Sequence, residues 1–160
     1  MFKIGLGQDS HAFTAQPKPL VLGGVIIKNA PGLKGNSDCD VILHAICNAF
    51  DIAAQKGSIA VYSDPMCLKK GTNNSAQYLK HVQKAAAKKK YKAISASISI
   101  EARKPKLEPD SKAIKARLAR LLQIPKENIG LTFTSGEGLT SFGQGQGIMA
   151  TALVVFSKIT

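Results

Sequence analysis

Apolar and polar positions along the chain follow two periods, and the switches between them mark out the elements. Phe2, Ile4 and Leu6 alternate with Lys3, Gly5 and Gly7, which predicts a strand over 2–8. Leu20 to Lys28 is rich in Val, Ile and Leu on both sides of Gly23-Gly24, predicting two short strands or one strand bent at a bulge. From Ser37 the period becomes helical. Ile42, Ile46, Ala49, Phe50 and Ala53 form an apolar stripe, while Asp40, His44, Asn48 and Asp51 form a polar one. Ser37 is placed to cap this helix by accepting from the Asp40 N–H, Asp38 and Asp40 face the positive end of its dipole, and Gly57 closes it. Residues 57–73 then read as a loop long enough to be a lid or binding segment.

The remaining pattern is simpler. Residues 75–90 read as a helix with Leu79, Val82 and Ala86 inward and lysines outward. Residues 93–102 keep a period of two, with Ile94, Ala96, Ile98 and Ile100 on one face and Ser95, Ser97, Ser99 and Glu101 on the other. Residues 110–123 form a third helix with Ile114, Leu118 and Leu121 inward, and strands follow over 129–134 and 148–156. The order β-β-α-α-β-α-β-β predicts an α/β (α+β) sandwich: one mixed sheet with helices packed on one face. With 160 residues and no repeat or linker, residues 1–160 are expected to form a single domain.

Composition adds one feature. Apolar residues make up 44% and charged residues 20%, a globular balance. The net charge of +12 is concentrated: residues 69–126 carry 13 Lys and three Arg against Glu101, Glu108 and Asp110, while five Lys and five Asp cancel over residues 1–68. A basic block attracts phosphorylated small molecules, nucleic acid or acidic membrane. Aromatic residues are only 6%, without Trp, so platforms for base stacking are sparse. The candidate carboxylates and histidines lie mostly outside the basic block, so nucleic acid is not expected as a partner. No apolar run reaches the ~18 residues of a membrane span, and the start MFKIGLGQDSHAF lacks a signal-peptide stretch. Cys39, Cys47 and Cys67 are odd in number with no C-x-x-C spacing, which fits free thiols in a reducing cytoplasm.

Two groups of residues carry chemistry. Asp9 and His11 are two apart on extended chain, so their side chains project to one side, and His44 lies on the polar stripe beside Asp40. One carboxylate and two imidazoles with an open fourth position are the ligand set of a catalytic zinc. His81, among lysines, reads as an ordinary surface histidine. An open zinc could also serve a plain metallohydrolase, with Asp40 or Asp64 as general base. The second group is Thr134-Ser135-Gly136-Glu137-Gly138, where hydroxyls and backbone N–H groups suit phosphate and a carboxylate suits a hard divalent ion.

Taken together, GLGQDSHAF, LVLGGVII, SDCDVILHAI, ARKPKLEP and TSGEGLTSFGQGQGI run in order from one end of the chain to the other. With them the sequence resembles the 2-C-methyl-D-erythritol 2,4-cyclodiphosphate synthase family of the non-mevalonate isoprenoid pathway. The resemblance implies a lyase assembled as a homotrimer, with active sites between subunits, closing a cyclic diphosphate with loss of CMP. It assigns zinc to Asp9, His11 and His44, and a second divalent cation, Mg2+ or Mn2+, to Glu137. Asn36 and Ser135 match the positions that support the transition state. Ser10 and Ser37, the run Ser58-Ile59-Ala60 and Asp64 match substrate contacts around the metal. Ala102, Arg103, Lys104, Pro105, Lys106, Leu107 and Glu108 match the segment receiving cytosine and phosphates, together with Thr134, Gly136, Phe142 and Gln144. Against the family pattern, Asn36 stands for a histidine, Asn48 and Ser58 for aspartates, Cys39 for a glycine and Gln144 for an arginine, and Phe142 is displaced by one position. These departures leave an alternative: an impaired member that binds cytidine nucleotide or isoprenoid diphosphate with little turnover.

Overall fold

The computed structural model describes residues 1–159. Its centre is a four-stranded mixed sheet in the order β1-β6-β4-β5, formed by β1 (Phe2–Ala12), β4 (Tyr91–Glu101), β5 (Ile129–Thr134) and β6 (Gly147–Lys158). β6 runs antiparallel to both β1 and β4, whereas β4 and β5 are parallel. A parallel pair needs a crossover, and α5 (Ser111–Leu122) supplies it. A separate hairpin, β2 (Pro19–Leu22) and β3 (Val25–Pro31), turns at Gly23-Gly24, both at positive φ. This is the two-strand form of the expectation for Leu20 to Lys28.

Helices cover one face of the sheet. α1 (Val41–Ala49) runs on through Phe50 into the short α2 (Asp51–Ala54), and α4 (Ser75–Lys88) packs beside it. α1 lies directly on β1, where the chain keeps two glycines. A Cβ on Gly5 would sit 1.8 Å from the Ala49 carbonyl oxygen, and one on Gly7 would sit 2.1 Å from that of Ala45. The apolar stripe of α1 enters the core with Ile98, Ile100, Val154 and Phe156, and Phe50 meets Phe156 edge to face at 4.8 Å. The opposite face of the sheet is bare. There Phe2, Ile4 and Leu6 are 69%, 62% and 70% exposed, beside Leu153 and the serines of β4.

Several boundaries differ from the sequence reading. β1 continues through Asp9-Ser10-His11 because β6 pairs with it as far as Ala12. α1 starts at Val41, capped by Asp40 accepting from Leu43 N, while the Ser37 hydroxyl accepts from Cys39 N. Ser37 cannot be the cap because Cys39, at φ 55°, breaks the helical path between them. The helical stretch ends at Ala54, with Gln55 left-handed, rather than at Gly57. Residues 57–73 hold α3 (Ala60–Asp64) and a wide helical turn over Pro65–Lys69 instead of an open loop. A bulge between Ala93 and Ser95 interrupts the period of β4, leaving Ile94 only half-buried. In α5, Leu122 is buried and Leu121 only partly so.

Candidate metal centre and phosphate cleft

β1 and α1 build the first site between them. Asp9 and His11 leave β1 on the side that faces α1, both half-buried, while Ser10 points to the exposed face. His44, one turn into α1 and 8% exposed, meets them there. Asp9 Oδ2 lies 3.2 Å from His11 Nε2 and 3.0 Å from His44 Nδ1. One ligand atom from each of the three residues lies within 4.8 Å of the others, a span that bonds of ~2 Å to one shared ion can bridge with small rotations.

The hydrogen-bond partners on the far side of the rings decide what this arrangement wants. His11 Nδ1 is 2.9 Å from the Lys34 carbonyl oxygen. A carbonyl only accepts, so the neutral ring carries its hydrogen on Nδ1 and turns the Nε2 lone pair toward the Asp9 carboxylate. Lone pair against anion is unfavourable unless positive charge lies between them. A proton can supply it: the hydrogen bond to Asp9 holds His11 above the ordinary imidazole range against the opposing effect of burial. Burial pushes the Asp9 carboxyl up, but the hydrogen bonds and charges of His11 and His44 together outweigh it and bring it below its usual value. The donor set of one carboxylate and two imidazoles fits a divalent metal at the same place.

Asp40, on the same helix stripe as His44, has a different role. It is fully buried and accepts from Gly23 N at 2.8 Å, Gly24 N at 2.6 Å and Leu43 N at 3.1 Å. Both its oxygens are engaged by backbone N–H groups, so it ties the β2–β3 turn to α1, and its burial withdraws it from general-base chemistry. Asn48 similarly pins the 58–60 segment: its amide donates to Gln8 O at 3.1 Å and its carbonyl accepts from Ile59 N at 2.8 Å. Ser58 and Ala60 are exposed there, Ile59 is buried in the core, and Asp64 is exposed at the end of α3.

Asn36 and Ser37 lie on the loop that leads into α1. Lys18 shapes this loop, its ammonium donating to Leu33 O at 2.9 Å, Gly35 O at 3.1 Å and Cys39 Sγ at 3.1 Å. No sequence pattern announces that role. The cysteines Cys39, Cys47 and Cys67 are all free thiols. His81 stacks on Tyr62 at 5.1 Å and is not among the clustered metal-ligating groups.

A second site forms where β4 and β5 end side by side. A cleft of about 430 Å³ is lined by Arg103, Lys104, Lys106, Ser135, Glu137, Gly138 and Gly143. Ala102, Pro105, Leu107, Glu108 and Thr134 join Lys106 and Ser135 around an adjoining hollow, with Leu107 otherwise buried. The parallel pairing sets Glu101 beside Thr134, which brings the two sequence segments together. Glu137, held at φ 49°, accepts from the Ser135 hydroxyl at 2.8 Å. The Phe142 carbonyl accepts from Arg103 N at 3.2 Å, and Gln144 donates to Gly138 O at 3.3 Å, closing the glycine-rich loop on itself. Three cations and two hydroxyls suit phosphate oxygens, and the Glu137 carboxylate suits a divalent ion that would bridge them. Glu137 lies in this cleft and is not clustered with Asp9, His11 and His44.

Comparison with known proteins agrees with this geometry. The model of the YgbB family matches residues 2–157. A 2-C-methyl-D-erythritol 2,4-cyclodiphosphate synthase of Chlamydia trachomatis serovar L2 is 43% identical over 160 residues, covering 99% of this chain and 89% of its own. That of Chlamydia abortus is 37% identical, covering 99% of this chain and 90% of its own. A solved 2C-methyl-D-erythritol-2,4-cyclodiphosphate synthase in a CDP-bound form superposes with a TM-score of 0.87 at 30% identity, over 97% of this chain and 100% of the other. IspF of Plasmodium falciparum in complex with CDP gives 0.84 at 27% identity, over 99% of this chain and 97% of the other. The chain belongs to the YgbB family, that of the 2-C-methyl-D-erythritol 2,4-cyclodiphosphate synthases.

Proposed function

We propose that the protein converts 4-diphosphocytidyl-2-C-methyl-D-erythritol 2-phosphate to 2-C-methyl-D-erythritol 2,4-cyclodiphosphate with release of CMP, as a single domain working in the cytoplasm. The observation that carries this reading is the convergence of Asp9, His11 and His44 on one point in a chain of this family. In the reaction an oxygen of the 2-phosphate forms a bond to the β-phosphorus, and the bond from that phosphorus to the bridging oxygen of CMP breaks. The electron pair leaves with the CMP phosphate. No covalent enzyme intermediate is needed, so the protein's task is positioning and charge neutralisation. Holding an internal nucleophile in line is worth ~7–11 kcal/mol.

Asp9, His11 and His44 would hold Zn2+, and Glu137 would hold a second divalent cation, Mg2+ or Mn2+. Bound there, the ions supply charge that polarises the diphosphate. Arg103, Lys104 and Lys106 neutralise phosphate oxygens, and the backbone N–H groups of the glycine-rich loop add neutral donors. Ser135 places a hydroxyl on the reacting diphosphate, and Asn36 offers an uncharged amide donor. The backbone of Ser10, with Ser37, Ser58 to Ala60 and Asp64, surrounds the methylerythritol, while Ala102 to Glu108, Thr134, Gly136, Phe142 and Gln144 receive the cytidine.

Two observations support a shared assembly. The residues that would hold the metal and the cleft around Glu137 form separate groups within one chain, and the uncovered sheet face carries exposed Phe2, Ile4 and Leu6. A homotrimer packed through that face would bring the metal group of one subunit to the cleft of the next. The test is a zinc assay combined with CMP detection on the protein and on His44→Ala. The protein should retain about one zinc per chain and release CMP, and the variant should lose both. A folded, zinc-loaded protein that releases no CMP from this substrate would refute the reading.

A further inference from the structure

His44 is held from behind by a buried chain of hydrogen bonds that the reaction itself does not require. Its Nε2 is 2.8 Å from the hydroxyl oxygen of Ser75, which is fully buried. That hydroxyl donates in a short contact to Asp38 Oδ1, and Ser75 N donates to Asp38 Oδ2 at 2.9 Å. A serine hydroxyl has one hydrogen, and here the carboxylate takes it. Ser75 Oγ must therefore accept from His44, which places the ring hydrogen on Nε2. The opposite arrangement, with the hydroxyl turned to Nε2, would press two acceptor oxygens together without a hydrogen between them.

With Nε2 protonated, the neutral ring presents the Nδ1 lone pair to Asp9 Oδ2, 3.0 Å away. His11 also turns a lone pair to Asp9, in the opposite tautomer, through a backbone carbonyl. His44 does so through side chains from two other elements, the loop before α1 and the first residue of α4. We infer that Asp38 and Ser75 are positioning residues that lock the His44 tautomer and so aim its Nδ1 at the metal. The inference rests on the reading of Asp9, His11 and His44 as metal ligands. It also gives the 37–40 segment a second duty: Asp40 latches the β2–β3 turn, and Asp38 latches the start of α4 behind the metal.

Two variants test this without relying on turnover. In Asp38→Asn the amide donates to Ser75 Oγ and the hydroxyl hydrogen is freed to point at Nε2, which reverses the chain at constant volume. In Ser75→Ala the partner is removed. Nitrogen-15 NMR of the metal-free protein, at a pH alkaline enough for the ring to be neutral, should show the hydrogen on His44 Nε2 in the wild type and on Nδ1 in Asp38→Asn. Zinc affinity, measured by competition with a chromophoric chelator, should fall about 10- to 100-fold in both variants, as loss of a ligand's outer partner generally does. A wild-type ring protonated on Nδ1 alone, or a folded Asp38→Asn protein with unchanged tautomer and zinc affinity, would overturn the inference. If His44→Ala binds zinc as tightly as the wild type, the metal-ligand reading itself fails, whatever the tautomer.

Discussion

At the scale of single residues, Asp40 shows how one side chain can hold two segments and still be silent in the chemistry. Burial pushes its carboxyl up to about 6, with the N–H groups of Gly24, Leu43 and Gly23 pulling against that rise. Because the folded value lies above the ~3.9 of an unfolded aspartate, the folded state holds the proton more tightly. The contribution to stability is thus fully present below pH ~4 and is lost as the pH rises through about 6. Asp40→Asn sets an amide donor against N–H donors and should cost about 1–3 kcal/mol at neutral pH, read from urea unfolding. The gap between wild type and variant should narrow from pH 4 to pH 7; a gap that widened would contradict this assignment. The pattern of polar positions placed Asp40 on the same stripe as His44 but could not separate their roles. Three backbone donors from two elements make that distinction.

Among elements, the decisive contact is α1 on β1, since it sets the distance from His44 to Asp9. Gly7 permits it, with space for a Cβ blocked at 2.1 Å by Ala45 O and at 2.4 Å by Ala49 N. Gly7→Ala forces the helix away from the strand and should destabilise the fold by about 3 kcal/mol. It should also weaken zinc binding, because the proposed ligands on the two elements move apart. Gly71→Ala is the control: nothing lies within 4 Å of its Cβ position, and only the φ of 67° opposes it. That change should cost about 1 kcal/mol and leave zinc affinity intact. Denaturation midpoints and chelator competition on the two variants check both statements. The strands and the three longer helices follow from periodicity in the sequence. Their ends do not, because Cys39 and the bulge at Ala93 are local departures from a regular path that neighbouring segments impose.

The whole molecule presents two surfaces of unlike character. Phe2, Ile4, Leu6 and Leu153 form a cluster of exposed apolar side chains on the sheet. Leu6→Glu, at 70% exposure, should leave the isolated fold intact and break the proposed trimer into smaller species, seen by sedimentation. Cyclisation activity should fall with the trimer, since in the proposed assembly each site draws on two subunits. Retained activity in a monomeric variant would refute the shared site. The lysine-rich surface is the second: desolvation and the charges of Lys56, Lys70 and Lys84 all push His81 below its ordinary value. That surface is a solvated electropositive face, consistent with attraction of a phosphorylated substrate.

By itself the sequence determined which residue types stand at which period, and so the strands, the helix carrying His44, the Asp9 and His11 pair and the basic block. Those properties are local: a strand alternates and a helix repeats whatever surrounds it. Only the tertiary structure decided that Asp40 faces backbone while His44 faces Asp9, that Ser75 stands behind His44, and that Glu137 belongs to a different cleft from Asp9, His11 and His44. Each of these depends on which segments touch across long stretches of chain, and contacts of that kind are set by packing and by the direction of hydrogen bonds rather than by spacing along the chain.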